Sequence, residues 1–293
     1  MKMSLRASDL IYPVFVKEGL SKKEAIASMP GQYRYGLKSL GGLYPRLSAC
    51  GIRNVLLFGI PKVKDDEASS ARSDDGIVQA AIRRLKGESF TVFADVCLCQ
   101  YTPHGECRII SDGIADEGES KAALADIAAS YARAGADYVA PSAVLDGQVT
   151  AIRNALNAHG FSSVKIMSYS AKFASSFYAP FRDAVESSYA GGLRLYQLKV
   201  EDREAALSRI EAEVSEGADA VIVKPAMPYL DVVAEAKRRV SVPVAAYQVS
   251  GEYVSLRALG DPAVFYESLA SIKRAGADYV ISYAALDVSE YLK

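Results

Sequence analysis

Two lysines occupy positions where an amine could attack a ketone. Lys224 directly follows the apolar run AVIV, and Lys172 lies among small and aromatic residues in SYSAKFASSFYAPFRDA. A lysine at the end of a buried strand either forms a salt bridge with a carboxylate or loses hydration, and a desolvated amine has a lowered pKa and becomes nucleophilic. Two such lysines on adjacent strand ends favour the nucleophilic state, because each ammonium lowers the pKa of the other.

Three of the four cysteines crowd into one short segment, ADVCLCQYTPHGEC. Cys97, Cys99 and Cys107 could converge on one soft divalent ion and leave a coordination position open, which predicts a zinc site. Three partly buried thiols without a metal are the alternative. Cys50 stands apart at the end of an apparent helix and is interpreted as a buried structural thiol.

Several polar residues could bind a substrate carboxylate. Arg182, in APFRDA, could do so through its two-pronged guanidinium, and Arg194 is a weaker candidate. Tyr178, Ser250 and Tyr283 could donate hydrogen bonds to the same group. Surface ion pairs for the arginines and core packing for the other three are the alternatives.

The elements that must position these residues alternate between strand and helix. Short apolar or β-branched runs are separated by amphipathic stretches of helical period, a pattern typical of a buried parallel sheet. We predict a (β/α)8 TIM barrel, with an open doubly wound sheet as the alternative. In such barrels the reactive groups lie where strands end. The predicted strands are 11–16, 54–58, 91–96, 138–141, 164–169, 220–224, 242–249 and 279–283.

The bulk properties predict one cytoplasmic domain over residues 1–293. A short N-terminal arm is expected over 1–10 and an active-site lid over 173–195, which is rich in Ser, Tyr, Phe and Gly. The formal net charge of −1 gives no electrostatic reason to expect nucleic acid as a partner. No secretory signal and no long apolar run indicates export or a membrane.

The same segments, taken together, resemble the porphobilinogen synthase family, also called δ-aminolevulinic acid dehydratase. The likeness covers nearly the whole chain in the family's order. Its most specific motifs are FADVCLCQYTPHGEC, MSYSAKFASSFYAPFRDA, GADAVIVKPAMPYLD, YQVSGEY and GADYVISY.

The resemblance implies a lyase that condenses two 5-aminolevulinate molecules asymmetrically into porphobilinogen, with loss of two waters, for tetrapyrrole (heme) biosynthesis. Lys172 matches the lysine holding the first substrate, and Lys224 matches the lysine forming a Schiff base with the second. The three cysteines match the catalytic zinc ligands of zinc-using members. The remaining matches are Arg182 and Gln197 around the second substrate, Tyr178, Ser250 and Tyr283 around the first, and Asp95 and Ser142 near the reacting centre.

Some positions depart from the family's pattern. Ala143 and Gln148 stand where the family commonly has an acidic and a basic residue close to the lysines, so charges that bear on the lysine pKa values are expected to be lost. Leu193 stands where the lid carries an arginine, unless Arg194 substitutes. These changes favour, as alternatives, a catalytically weakened paralogue that binds metal or a partner, or another lysine-dependent aldol-type condensing enzyme. The short arm predicts a homo-oligomer smaller than an octamer, and a magnesium ion at an allosteric site stays open.

Overall fold

The computed structural model describes residues 4–189, 191–192, 194 and 196–292. The strands of this part of the chain are β1 Leu10–Lys17, β2 Glu24–Ala25, β3 Tyr33–Tyr35, β4 Asn54–Ile60, β5 Thr91–Val96, β6 Ile109–Ser111, β7 Ile114–Asp116, β8 Tyr138–Pro141, β9 Lys165–Lys172, β10 Ala220–Lys224, β11 Val244–Gln248 and β12 Tyr279–Ser282. The α-helices are α1 Tyr44–Ala49, α2 Ile77–Lys86, α3 Glu117–Ala134, α4 Gln148–Ala158, α5 Ala179–Ala184, α6 Arg203–Ser215, α7 Leu230–Arg239, α8 Ser250–Arg257 and α9 Ala263–Ala275.

Eight parallel strands form a closed barrel. They follow the order β1, β4, β5, β8, β9, β10, β11, β12, and β12 returns to pair with β1 through Leu10 opposite Val280 and Ile11 opposite Ile281. Almost every residue of these strands is buried, as expected for strands covered by helices outside and side chains inside. The predicted (β/α)8 barrel is therefore confirmed, and closure excludes the open doubly wound sheet.

The triplet Gly-Ala-Asp occurs three times in the sequence, and its contacts connect neighbouring elements at the amino-terminal end of the barrel. In each copy the glycine ends a helix at positive φ. The aspartate then accepts a hydrogen bond from a backbone N–H near the start of the preceding barrel strand, and it pairs with a cation from the helix leading into that strand. The sets are Asp137 with Val92 and Lys86, Asp219 with Ile166 and Arg153, and Asp278 with Val244 and Lys237; each backbone bond is 2.8 Å.

A β-bulge interrupts the pairing of β9 with β10. Val221 lies opposite Ser168, but Val223 lies opposite Ala171, so β9 contains one extra residue between these pairs. Beyond the bulge Lys224 is the direct partner of Lys172. Bulges commonly re-aim side chains next to active sites.

Two small hairpins were not predicted. The hairpin β2–β3 extends the sheet beside β1, and β6–β7 forms a separate pair. Arg34 of β3 is buried and donates hydrogen bonds to the carbonyls of Ala184, at 2.8 Å, and Asp183, at 2.6 Å. These carbonyls end α5, so the first hairpin fixes the helix that carries Arg182.

The residues of the predicted arm that the structure describes pack against the chain's own barrel. Leu5 is buried, and the Asp9 carboxylate lies 3.3 Å from the Lys273 ammonium of α9. Residues 1–3 of that prediction lie outside the described residues. No described helix combines the length and the apolar character that crossing a membrane requires.

Candidate active site

The two predicted lysines lie side by side at the carboxyl end of the barrel. Lys172 is the last residue of β9 and Lys224 the last of β10, and only 8% and 6% of their surfaces are exposed. The Lys172 ammonium donates to the carbonyl of Ser142, just past β8, at 2.5 Å. Neither lysine has a carboxylate within salt-bridge distance among the described residues, so the salt-bridge alternative does not apply to them.

Aromatic rings surround the Lys224 amine. Its Nζ lies 4.5 Å from the ring centroid of Tyr247, and 5.0–5.1 Å from those of Tyr169, Tyr178 and Phe181. Burial and, secondly, the neighbouring Lys172 ammonium lower the pKa of Lys224 to about 7, against the opposing effect of Asp95. A large fraction of this amine is consequently neutral at physiological pH and able to attack a carbonyl.

Imine formation at Lys224 should slow as the pH falls through about 7, because protonation removes the nucleophilic amine. Lys172→Met removes the neighbouring positive charge, so the pKa of Lys224 should rise and the acid limb of the profile should move to higher pH. Asp95, Cys97 and Cys99 also influence the pKa of this amine. The charge of the cysteines depends on whether they hold a metal, so the assay keeps the metal content of the protein constant. The measurement is the rate of borohydride-trapped adduct against pH; an acid limb that stays in place or moves to lower pH contradicts the coupling.

Asp95 ends up beside both lysines. Its carboxyl is buried and accepts a hydrogen bond from the Gln100 side chain at 3.2 Å. Burial raises the pKa of Asp95, whereas the ammonium groups of Lys172 and Lys224 lower it. The barrel therefore holds one carboxyl and two amines in a single low-dielectric environment.

Tyr169 was not among the predicted site residues. Its ring lies 5.0 Å from the Lys224 amine and 5.7 Å from the Lys172 amine, and its hydroxyl is buried without a hydrogen-bond partner among the described residues. On a regular strand Tyr169 and Lys172 would point to opposite faces, and the bulge in β9 brings them together.

The three predicted cysteines converge. The sulfur atoms of Cys97, Cys99 and Cys107 all lie within 4.8 Å of one another, and those of Cys97 and Cys99 are 3.3 Å apart. Tetrahedral zinc with three thiolates needs sulfur separations of about 3.8 Å. The donor set and its spacing therefore fit a soft divalent ion, although they do not identify the metal. We refer to residues 97–108 as the metal loop.

One cavity joins these groups. Both lysines and two of the cysteines face it, together with residues of the predicted lid. The lining residues are Cys99, Cys107, Lys172, Tyr178, Phe181, Arg182, Val185, Ser187, Arg194, Gln197 and Lys224.

The predicted arginines differ in their surroundings. Arg182 is half-buried, and its terminal nitrogens reach the carbonyls of Gly191 and Gly192 at 3.3 and 3.2 Å. The Arg194 guanidinium is instead buried against the metal loop, where it donates to the Cys107 sulfur at 3.0 Å.

Of the residues matched to the first substrate, Tyr178 contacts the Lys224 amine. The Tyr178 hydroxyl donates to the carbonyl of Phe173, at 2.7 Å, and its ring faces Lys224. Ser250 bonds to the backbone of Phe177 and Phe181, and the Tyr283 hydroxyl bonds to that of Tyr247 at 2.8 Å, so these two hydroxyls already have protein partners.

One departure from the family pattern, Gln148, lies away from the lysine pocket. Gln148 is buried in α4 and donates to Glu213 of α6 at 3.3 Å and to Ser168 at 3.5 Å, none of which lines the cavity. Arg209 lies 3.5 Å from the same Glu213 carboxylate and supplies its positive partner. The interpretation that Gln148 removes a charge near the lysines therefore does not fit this placement. Leu193 lies outside the described residues.

Comparison with known proteins gives a consistent result. The family model described as delta-aminolevulinic acid dehydratase matches residues 1–291. The chain belongs to the delta-aminolevulinic acid dehydratase family.

Two curated dehydratases illustrate how close this relation is. The chain is 50% identical to the enzyme of Methanothermobacter thermautotrophicus, over 97% of this chain and 90% of that one. It is 44% identical to the enzyme of Bacillus subtilis, over 98% and 92%.

A solved dehydratase structure supports the same assignment. The crystal structure of the enzyme from Toxoplasma gondii, in complex with its reaction product porphobilinogen, superposes with a TM-score of 0.94 at 36% identity, covering 98% of this chain and 85% of that one. The predicted family and its lyase activity, the formation of porphobilinogen from 5-aminolevulinate, are confirmed, and the paralogue and aldol-type alternatives are not favoured.

Proposed function

We propose that this dehydratase binds two 5-aminolevulinate molecules in the cavity between the barrel mouth and the lid, and that Lys224 and Lys172 capture their ketones as imines. The observation that carries the proposal is the direct pairing of these two lysines at the end of adjacent strands, both buried and both facing one cavity. A single-amine barrel could not hold two ketones covalently at once.

The chemistry at Lys224 begins with nucleophilic attack, because burial leaves its amine partly neutral at pH 7. The nitrogen adds to the ketone carbon, and the resulting carbinolamine loses one water to give the imine. Lys172 forms its imine with the other substrate in the same way. The Lys224 imine loses a proton from the neighbouring carbon to become an enamine, which attacks the Lys172 imine carbon, and elimination then expels the Lys172 amine. The amino group of that other substrate finally attacks the Lys224 imine carbon, and Lys224 leaves as a free amine. Overall, one C–C bond and one C–N bond form while the two ketone oxygens depart as water.

Neighbouring polar groups position the substrates and handle charge. Arg182 and Gln197 line the cavity on the lid side and bind a carboxylate, for which a half-buried guanidinium provides a charge-assisted hydrogen bond. The Asp95 carboxyl stabilises the positive charge that develops on the lysine nitrogens, since it faces both of them inside the barrel. The Ser142 carbonyl accepts a hydrogen bond from the Lys172 amine and positions it. The Tyr178 ring is one of the aromatic rings that surround the Lys224 amine.

Zinc is the metal that the three-thiol donor set favours. Cys97, Cys99 and Cys107 would hold it, and a zinc ion supplies Lewis acidity and an open position for a substrate amine or oxygen. Two of these sulfurs line the lysine cavity, so a ligand at the open position would lie in the same space as the bound ketones.

The test of these roles is a trapping experiment that does not depend on turnover. Sodium borohydride added with 5-aminolevulinate should reduce the imine to a stable secondary amine, and peptide mass mapping should find the adduct on Lys224. Lys172→Met should still be labelled at Lys224, and Lys165, at the opposite end of the same strand as Lys172, should stay unlabelled. Labelling that spares Lys224 would contradict the proposal.

Several expectations stay predictions. They are the assignment of residues 1–293 to one domain with an arm over 1–10 and a lid over 173–195, the cytoplasmic location, the homo-oligomer smaller than an octamer, and magnesium at an allosteric site.

A further inference from the structure

Arg194 joins the predicted lid to three consecutive residues of the metal loop. One terminal nitrogen donates to the Cys107 sulfur at 3.0 Å and lies 3.3 Å from the Glu106 carboxylate, and the other donates to the Gly105 carbonyl at 2.5 Å. Only 9% of Arg194 is exposed. A planar guanidinium that is held at three points fixes the position of all three partners, which a flexible ammonium could not do.

Aromatic contacts strengthen the same junction. The Arg194 guanidinium lies 4.1 Å from the ring centroid of Tyr189, and the Arg108 guanidinium lies 3.8 Å from that of Tyr196. Gly105 adopts a φ of +69°, and a Cβ at that position would lie 2.5 Å from the backbone nitrogen of Tyr189. The metal loop and the lid therefore touch through backbone as well as through side chains.

The division of labour between the two lid arginines follows from these contacts. Arg194 has both terminal nitrogens engaged by the metal loop. Among the described residues, Arg182 donates hydrogen bonds to two backbone carbonyls only, at 3.2 and 3.3 Å, and it is more exposed. A substrate carboxylate can displace such long backbone contacts at little cost, but it could not draw Arg194 away without leaving buried partners unsatisfied.

We propose that Arg194 is a positioning residue for the metal ligand Cys107, and that it couples retention of the metal to docking of the lid. The inference rests on the proposed metal at the three cysteines. Three thiolates around a divalent ion carry one net negative charge, and a buried guanidinium that bonds one sulfur compensates that charge and orients the ligand. By linkage, a docked lid strengthens metal binding by the same factor by which the metal favours the docked lid.

The first measurement is zinc affinity, determined by competition with a chromophoric chelator on the purified protein. Arg194→Met should raise the zinc dissociation constant by about 10- to 100-fold, the usual effect of removing a residue that orients a metal ligand. Arg194→Lys keeps the positive charge but lacks the planar, two-pronged guanidinium, and it should give an intermediate zinc dissociation constant. Arg182→Met is the matched control, since it removes the other lid arginine and should leave zinc affinity unchanged.

The second measurement is hydrogen–deuterium exchange of lid peptides within residues 173–189. Zinc should slow exchange there in the wild-type protein and have little effect in Arg194→Met. Unchanged zinc affinity in both Arg194 variants, or an equal loss in Arg182→Met, would overturn the inference; if Arg194→Met does not fold, Arg194→Lys decides. Failure of the metal proposal itself is distinguishable, because wild-type and Cys99→Ala proteins would then bind zinc equally.

Discussion

Replacing Lys224 by methionine should lower the turnover number for porphobilinogen formation by roughly 10⁴-fold or more, the scale seen when a covalent nucleophile is removed. Methionine preserves the length and apolar stem of the side chain and so fills the ring-lined space around the amine. It also removes a buried charge that lies beside Lys172. The folded protein should therefore lose activity while keeping or gaining thermal stability.

Matched variants separate the chemistry from general damage. Lys172→Met should also be severely impaired, because it removes the second amine of the pair and raises the pKa of Lys224. Lys165 lies at the amino-terminal end of β9, away from the cavity, so Lys165→Met should retain normal turnover. The readout is pyrrole formation by purified protein at saturating 5-aminolevulinate. Turnover of Lys224→Met within tenfold of the wild type would contradict the proposed mechanism.

Removing the metal should abolish activity, and zinc should restore it. Three buried or half-buried thiols that converge next to two amines form a ligand set for zinc, and magnesium prefers oxygen donors and should not substitute. Cys99→Ala leaves two sulfurs and should lose both the bound ion and nearly all turnover. The measurements are zinc content by elemental analysis and activity after chelation.

The fourth cysteine provides the control. Cys50 caps the end of α1, and Cys50→Ala should keep full zinc content and activity. The zinc assignment would be wrong if chelated enzyme kept full activity, or if Cys99→Ala retained its metal.

Much of the fold was predictable because its signals are local. Continuous apolar runs alternating with stretches of helical period identified all eight barrel strands, and the rule that reactive groups lie where strands end selected Lys172 and Lys224. The hairpins β2–β3 and β6–β7 were not predicted, because strands of two or three residues are too short to show an alternation of apolar and polar residues. Yet β3 provides Arg34, which holds the end of α5.

The remaining features of the site depend on geometry that composition does not encode. Tyr169 was missed because strand alternation places it on the face opposite Lys172, and only the bulge in β9 reverses that. Gln148 was expected near the lysines from the resemblance to the family, but it lies in α4 and bonds to Glu213. Arg194 was predicted to bind substrate, whereas its nitrogens are engaged by residues 105–107, almost ninety positions earlier in the chain.

The bulge between β9 and β10 determines which residue of β9 lies opposite Lys224. In an uninterrupted ladder Ala171 would lie opposite Lys224, and the barrel mouth would present one amine, as suits an enzyme that activates a single carbonyl compound. One inserted residue shifts the register of β9 by one position, so Lys172 lies opposite Lys224 instead. Under the proposed mechanism, the capacity to bind two ketones covalently at once therefore depends on a single-residue offset between neighbouring strands.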